Sequence, residues 1–325
     1  MPRKFSEGRR HKFGKQRYRV TNWSEYNEAL RRRGDLTVWF DADAADLWAA
    51  PRRKTRGGQS RYSDLAIEIC LCLRVVFGLP LRQTQGLVRS LARLSGIVLA
   101  VPCFSTLSRR SAGLKLRPAA RPRSGEPVHL VVDSTGLKLF GAAEWQAWKH
   151  GTSTKRKIWR KLHIGFDLIS NEILCAELTT DRMGDPTALP ALLDRYEGRV
   201  DRFLADGAYD GGATYELLAA RYGDAVEVVI PPPKNAALSA DAARNPTSRD
   251  RHINEIDTHG RMVWQQSTGY NQRSRGDAQI GRWKAVIGGK LRARRFENQK
   301  TEAGIGAKIL NRMNGLGCPH FERIA

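Results

Sequence analysis

Long apolar runs, cysteines and acidic residues are all in short supply in this chain. No segment reaches the roughly 18 uninterrupted apolar residues that span a bilayer; the most apolar stretch, Leu65 to Leu81, is interrupted by Glu68 and Arg74. The N-terminus is polar and basic, without the apolar core of a signal peptide, so a soluble, intracellular protein with no membrane partner is expected. The cysteines Cys70, Cys72, Cys103, Cys175 and Cys318 are few and odd in number, and no two pairs have zinc-ligand spacing. They read as reduced thiols, mostly packed. Acids are outnumbered: 33 Asp and Glu face 55 Lys and Arg in 325 residues, a net charge of +22. That excess favours a polyanionic partner, most simply nucleic acid, bound with release of counterions. The 41% apolar content supports a real core and excludes a disordered chain.

Against this basic background two acids stand out. His129-Leu130-Val131-Val132-Asp133-Ser134-Thr135-Gly136 and Phe203-Leu204-Ala205-Asp206-Gly207-Ala208-Tyr209-Asp210 are apolar runs ending in Asp followed by small residues. A carboxylate where a buried strand emerges is well placed to hold a divalent cation. Asp185 and Asp210 read instead as turn or helix-cap residues, His163 as a satisfied structural histidine, and Asp167 as shaping the turn after its strand.

Three regions are expected. Residues 1–61 form a basic arm and linker, with Phe13 and Tyr18 among the cations, a short helix over Trp23–Arg33, and Asp41, Asp43 and Asp46 after an apolar run. Residues 62–120 turn helical: Leu65, Ile69, Cys72, Leu73 and Val76 recur at three and four residues, Gly78-Leu79-Pro80 breaks the helix, and a second spans Leu81–Leu94. A short third helix with a Ser N-cap option carries Ser105, Thr106, Ser108, Arg109 and Arg110. This order suits a helix-turn-helix with those five residues at DNA, or an ordinary helical bundle. Leu116–Pro127 is a linker rich in Pro, Arg and Ala.

Residues 126–325 change grammar to strands. Strands are expected at Val128–Asp133, Arg156–Asp167, Glu172–Thr179, Val200–Asp206 and Val226–Ile230, with a turn at Ile169-Ser170-Asn171 and helices over Pro186–Tyr196, Ala213–Tyr222 and Gln272–Ile287. An insertion, residues 234–266, is polar and poorly periodic; its Arg244, Arg249, Arg251 and His252 either contact DNA or form a solvated loop. Trp145, Trp148 and Trp159 lie among Lys155, Arg156, Lys157, Arg160 and Lys161, and either stack on unpaired bases or pack the sheet edge. The element order matches an α/β, ribonuclease H-like catalytic domain behind an N-terminal helical DNA-binding region. Such a domain lays the first and fourth strands side by side and brings Asp133 to Asp206.

Tyr270-Asn271-Gln272-Arg273-Ser274-Arg275-Gly276-Asp277, continuing to Trp283-Lys284, completes a third motif. Here the chain resembles the DDE transposases of bacterial insertion sequences, and most closely the family numbered five, IS-five. That family's pattern is Tyr, two residues, Arg, three residues, Glu, six residues, Lys. Tyr270, Arg273 and Lys284 match it, with Asp277 in the Glu position. The strand-end motifs and the segment from Ser63-Asp64-Leu65 through Leu81-Arg82-Gln83-Thr84 to Arg110 carry the same likeness, which runs from about Trp39 to the C-terminus. Helical spacing puts Arg273, Asp277 and Lys284 on one face. An acid there can close a metal site with Asp133 and Asp206, and the Arg fork and Lys charge can contact phosphates.

The resemblance implies a transposase that binds terminal inverted repeats and then cuts and joins DNA, acting in the bacterial cytoplasm at the nucleoid as at least a dimer. It also implies two Mg²⁺ ions, about 4 Å apart, held by Asp133, Asp206 and Asp277, with Mn²⁺ as a substitute. One ion activates water for attack at the transposon end and the other stabilises the leaving 3′ oxygen; the freed 3′-OH then attacks target DNA. Asp277 is one methylene shorter than Glu. Either it works from a closer backbone, or Glu302 or Glu297 replaces it, or this copy is weakened. A non-catalytic DNA-binding derivative and a nuclease of the same fold are the other readings.

Overall fold

The computed structural model describes residues 17–40, 45–54, 56–114, 116, 127–139 and 159–324. The basic arm through Gln16, Asp41, Asp43, Trp145, Trp148, Lys155, Arg156, Lys157 and most of the Leu116–Pro127 linker lie outside the described residues. The described parts of Met1–Val38 and Arg312–Ala325 form one compact unit, and those of Trp39–Asn311 form another.

In the first unit, strand β1 (Arg17–Val20) pairs antiparallel with the C-terminal strand at Phe321–Ile324. Helix α1 (Trp23–Arg32) follows β1. The side chain of Asn22 fixes this closure, donating to the Cys318 carbonyl at 3.0 Å and accepting the His320 N–H at 2.8 Å. Tyr18, expected on the basic arm, therefore belongs to a strand.

The second unit is mixed α/β. Short helix α2 (Leu36–Trp39) runs into it and is followed by α3 (Asp64–Val76), α4 (Leu81–Leu94) and α5 (Phe104–Ser111). Ser63 caps α3 by accepting the Ala66 N–H at 3.1 Å. At α5 the cap is Cys103 rather than a serine, with its Sγ 3.1 Å from Ser105 Oγ and 3.2 Å from Thr106 Oγ1. Residues 62–114 thus lie in the same unit as the sheet.

The sheet is built from β2 (Val128–Leu139), β3 (Trp159–Asp167), β4 (Ile173–Thr180), β5 (Val200–Leu204), β6 (Glu227–Val229) and β7 (Lys290–Leu291). Its order is β4-β3-β2-β5-β6, antiparallel across β4, β3 and β2 and parallel from β2 to β6. Asn171 closes the β3–β4 turn in the left-handed conformation, which Asn tolerates well. Asp167 shapes the turn by accepting the Ser170 N–H at 2.8 Å and the His129 N–H at 3.2 Å.

Side-chain alternation divides the core. Val128, Leu130, Val132, Phe203 and Val228 pack under α6 (Asp185–Leu193) and α7 (Gly212–Tyr222). Val131, Leu137, Ile164, Leu204 and Val229 pack on the other face with Trp264, Trp283, Ala303 and Leu310. Those four belong to α9 (Arg261–Ser267), α10 (Ser274–Val286) and α11 (Phe296–Leu316).

From Ser248 on, the polar insertion is helical rather than a loop. Helix α8 (Ser248–His259) starts at a capping box between Thr247 and Asp250. Few of its residues are buried, Ile253 among them, which is why no apolar period marks it. Arg249 forks onto Asp210 at 2.8–3.1 Å, Arg251 donates to the Pro246 carbonyl, and His252 contacts the Val228 carbonyl at 2.8 Å. Of the four insertion residues weighed for DNA contact, Arg244 and Arg251 are exposed, and Arg249 and His252 are half-buried.

Close packing between β3 and β4 depends on Gly165. A Cβ there would collide with Cys175 Sγ and stand 3.1 Å from Leu130 Cδ1. Gly165→Ala is expected to lower stability by about 2 kcal/mol through overpacking, read as a lower urea midpoint at unchanged m-value.

Candidate metal and phosphate site

Asp133 does not stand at a strand end. Strand β2 continues through it for six more residues, and what stops beside it is the pairing with a neighbour. On one side β3 follows β2 throughout, from Leu130↔Asp167 to Lys138↔Trp159. On the other side β5 pairs only as far as Val131↔Leu204, and β7 takes over at Lys138↔Lys290. Asp133 occupies the gap between them, and alternation turns it to the face of Val131 and Leu137, where α10 packs. It is 8% exposed. Its Oδ1 accepts the Ser134 N–H at 2.8 Å, while Oδ2 is buried with no hydrogen-bond partner. Burial raises its pKa, Arg273 and the Ser134 N–H oppose the rise, and the charges of Asp277 and Asp206 add to it.

Asp206 follows the end of β5 by two residues and caps the single 3-10 turn Gly207–Tyr209, accepting the Ala208 N–H at 3.0 Å. Tyr209 is 1% exposed, and its hydroxyl has no hydrogen-bond partner. Burial pushes that phenol up, with Asp185, Asp206 and Asp133 adding to the rise. Tyr270 lies close to the same acids: burial raises its phenol, Arg273 opposes this, and Asp206 and Asp133 contribute further. Its ring rests on Trp264 with centroids 5.3 Å apart, and Trp264 donates through Nε1 to His252 Nδ1 at 3.0 Å.

The third motif splits between two elements. Tyr270–Arg273 is a 3-10 turn that runs into α10. Gly276, Gln279 and Trp283 form the buried side of α10, and Asp277 and Lys284 share an exposed face. Gly276 is what lets the helix approach, because a Cβ there would stand 3.1 Å from Asp133 Oδ2. The Arg273 Nη2 lies between two acids, 3.8 Å from Asp133 Oδ2 and 3.8 Å from Asp277 Oδ2. Its Nη1 is buried without a hydrogen-bond partner. The Asp277 side chain is 73% exposed.

Two of these residues suit a hard divalent cation in donor chemistry, a buried carboxylate oxygen without a hydrogen-bond partner and a second carboxylate nearby, while the Arg273 guanidinium is the cation that now counters Asp133. Among the described residues, however, no three acid, histidine or cysteine side chains are gathered closely enough to form a complete metal cage, because Asp277 faces outward. The alternative third acids are differently placed. Glu302 is occupied by the backbone N–H groups of Arg292 at 2.9 Å and Ala293 at 2.8 Å, and Glu297 is exposed beside Lys300.

Asp185 is more than a cap. At the start of α6 it takes Lys161 Nζ at 2.7 Å and lies 3.3 Å from His163 Nδ1. Burial works against its charge, but the polar contacts with His163, Lys161 and Ser134 outweigh burial and hold the carboxyl far below the usual range. His163 is satisfied at its other nitrogen by Thr179 Oγ1 at 2.9 Å. Ser134 and His163 alternate away from Asp133, so Asp185 braces the opposite face of the sheet. Asp210 is likewise more than a cap: it closes the Gly207–Tyr209 turn, and its side chain is the buried partner of Arg249. Neither role is visible locally, since each partner is distant in sequence. Trp159 packs at the sheet, with Lys138 Nζ 5.3 Å from its ring centroid.

On α5, Ser105, Ser108 and Arg109 are exposed and Thr106 is half-buried. Arg110 turns inward, donating to Asp64 Oδ1 at 2.6 Å and to the Tyr62 carbonyl at 3.0 Å. It ties α5 to the start of α3.

A family model described as a transposase DDE domain matches residues 124–312, and a second of the same description matches residues 31–142. Among solved structures, the piggyBac transposase synaptic complex with hairpin DNA is 12% identical, over 92% of this chain and 78% of that one, with a TM-score of 0.37. The Mos1 mariner paired-end complex with Mn is 13% identical, over 94% and 90%, with a TM-score of 0.21. Both likenesses are remote. With more than half its length matched by one family model, this chain belongs to the DDE-domain transposases.

Proposed function

We propose that this chain is an insertion-sequence transposase of the IS-five kind with a ribonuclease H-like catalytic domain. It binds the terminal inverted repeats of its element as at least a dimer, in the bacterial cytoplasm, and catalyses metal-dependent strand cleavage and strand transfer. The observation that carries this reading is the buried Asp133 Oδ2 at the gap between β5 and β7, which has no hydrogen-bond partner, with Asp206 and the Arg273–Asp277 pair beside it.

The roles follow from placement. Asp133 and Asp206, with Asp277 turned inward by side-chain rotation, would hold Mg²⁺ or Mn²⁺, which supplies charge neutralisation and an activated water or 3′-OH nucleophile. Arg273 leaves its place between the acids to fork onto the phosphodiester, where its charge counters that developing on the non-bridging oxygens. Tyr270, held by Trp264 and His252, offers its hydroxyl to the same phosphate. Lys284 supplies a point charge further along the strand. Ser105, Thr106, Ser108 and Arg109 face the DNA from α5; Arg110 keeps that helix in place.

A second reading, a DNA-binding derivative without activity, is favoured by the outward Asp277. Incubating terminal-repeat DNA and a target plasmid with Mg²⁺ separates the two: joined product supports the transposase, and a gel shift without cutting supports the derivative. Cutting without joining would identify a nuclease.

Asp277→Ala is expected to lower cleavage by at least roughly 100-fold with end binding intact, and Asp277→Glu to keep cleavage; undiminished cutting by the Ala variant removes Asp277 from the site. Asp133→Asn relieves a buried charge, so in EDTA its Tm should rise by roughly 2 °C. The same variant should lose both cleavage and any Mn²⁺-induced stabilisation, measurable by differential scanning fluorimetry.

A further inference from the structure

A cleft of about 400 Å³ that shares no residue with the carboxylate site lies where α3, α4 and α5 meet the segment joining β7 to α11. Arg74, Arg82, Arg292, Arg294 and Arg295 line it, against a single acid, Glu302. Three of the five come from the run Leu291-Arg292-Ala293-Arg294-Arg295.

The backbone of that run is turned inward and satisfied there. The Glu302 carboxylate accepts the N–H groups of Arg292 and Ala293, and the Gln299 amide donates to the carbonyls of Ala293 at 3.0 Å and Arg294 at 3.1 Å. Gln299 is fully buried and its carbonyl oxygen takes Arg160 Nε at 3.0 Å, so the anchor is rigid. Asn298 and Thr301 fasten the opposite wall, bonding to Ser108 and Ser111 of α5 at 2.6–2.7 Å.

The cations are placed for an anion and have little to neutralise them. Arg74 is 12% exposed and 3.8 Å from Glu302, with a buried Nε that has no hydrogen-bond partner. Arg292 reaches across to the Gly78 carbonyl. Arg82 is held flat over the Phe104 ring at 4.1 Å. Arg294 and Arg295 are exposed and make no side-chain hydrogen bond or ion pair among the described residues. Five guanidinium groups around one carboxylate repel each other, and a phosphodiester, which each fork can grip bidentately, relieves that repulsion. An ordinary solvated basic surface has no reason to bury Arg74 behind the others or to fix the loop backbone with two buried side chains.

We propose that this cleft binds a backbone phosphate of duplex DNA. A phosphate seated there fastens the duplex to the surface where the α3–α5 helices meet α11, at a place separate from the carboxylates. The proposal rests on the DNA-binding part of the reading above and not on its chemistry.

The test is fluorescence anisotropy of a labelled duplex in EDTA, across a salt series, for the wild type, Arg294→Gln/Arg295→Gln and Arg82→Gln. All three positions are exposed, so folding should be preserved, and circular dichroism verifies it. Each lost phosphate contact should reduce the slope of log affinity against log salt by about 0.9. With both arginines on one phosphate, the double variant should therefore lose about one unit of slope and roughly 10-fold in affinity. Unchanged affinity and slope in both variants overturn the cleft, even if the wild type cuts DNA. Conversely, a wild type that binds without ever cutting in Mg²⁺, with both variants weakened, removes the proposed reaction and leaves the cleft standing.

Discussion

A carboxylate inside a sheet is the constraint around which this fold is arranged. Asp133 lies mid-strand, where a charge loses most of its hydration, and burial disfavours its ionised form. It persists because its surroundings offer partial compensation: the Ser134 N–H at 2.8 Å and the Arg273 guanidinium at 3.8 Å. The compensation is incomplete, and Oδ2 remains without a hydrogen-bond partner. Three features converge on that oxygen. Strand β5 stops pairing at Val131, β7 begins only at Lys138, and α10 comes close because Gly276 lacks a side chain. An alanine at 276 or a longer β5 would fill the space a ligand needs.

In so basic a chain, acids are used sparingly, and much of the scaffold is held by the few that are buried. Asp210 with Arg249 fastens α8 behind Asp206, and Asp250 starts that helix. Asp185 draws Lys161 and His163 together on the far side of β2 and β3, while Glu177 takes Arg195 on β4. Pairs of this kind add little net stability over apolar packing, but removing one partner leaves a buried charge exposed to the full cost. They therefore fix geometry more than they add stability.

The positive excess is likewise sorted by position. Arg249, Arg110 and Arg195 face acids and are internal ties. Lys284 and Arg109 are exposed along one helix face each, and Arg294 and Arg295 border the cleft at α11. Net charge alone announces a polyanionic partner; only the distinction between tied and untied cations indicates where it would sit.

Whatever depends on local periodicity or turn chemistry was legible in the sequence. The alternating strands, the Asn171 turn, the break at Gly78-Leu79-Pro80 and the shared face of Asp277 and Lys284 all follow from neighbours a few residues away. The α8 capping box, Thr247 to Asp250, went unread because the polar composition around it masked the helix. The neighbours that matter to the site are distant in sequence. That Asp133 is mid-strand depends on where β5 and β7 part company. That Arg110 turns inward depends on Asp64, and that Glu302 serves the loop depends on Arg292 and Ala293. The sequence by itself determined the charge and those strands and helices that local spacing marks. Only the tertiary structure decided which acid is buried, which faces water and which arginines remain uncompensated. Burial and pairing are set by whatever the fold brings alongside.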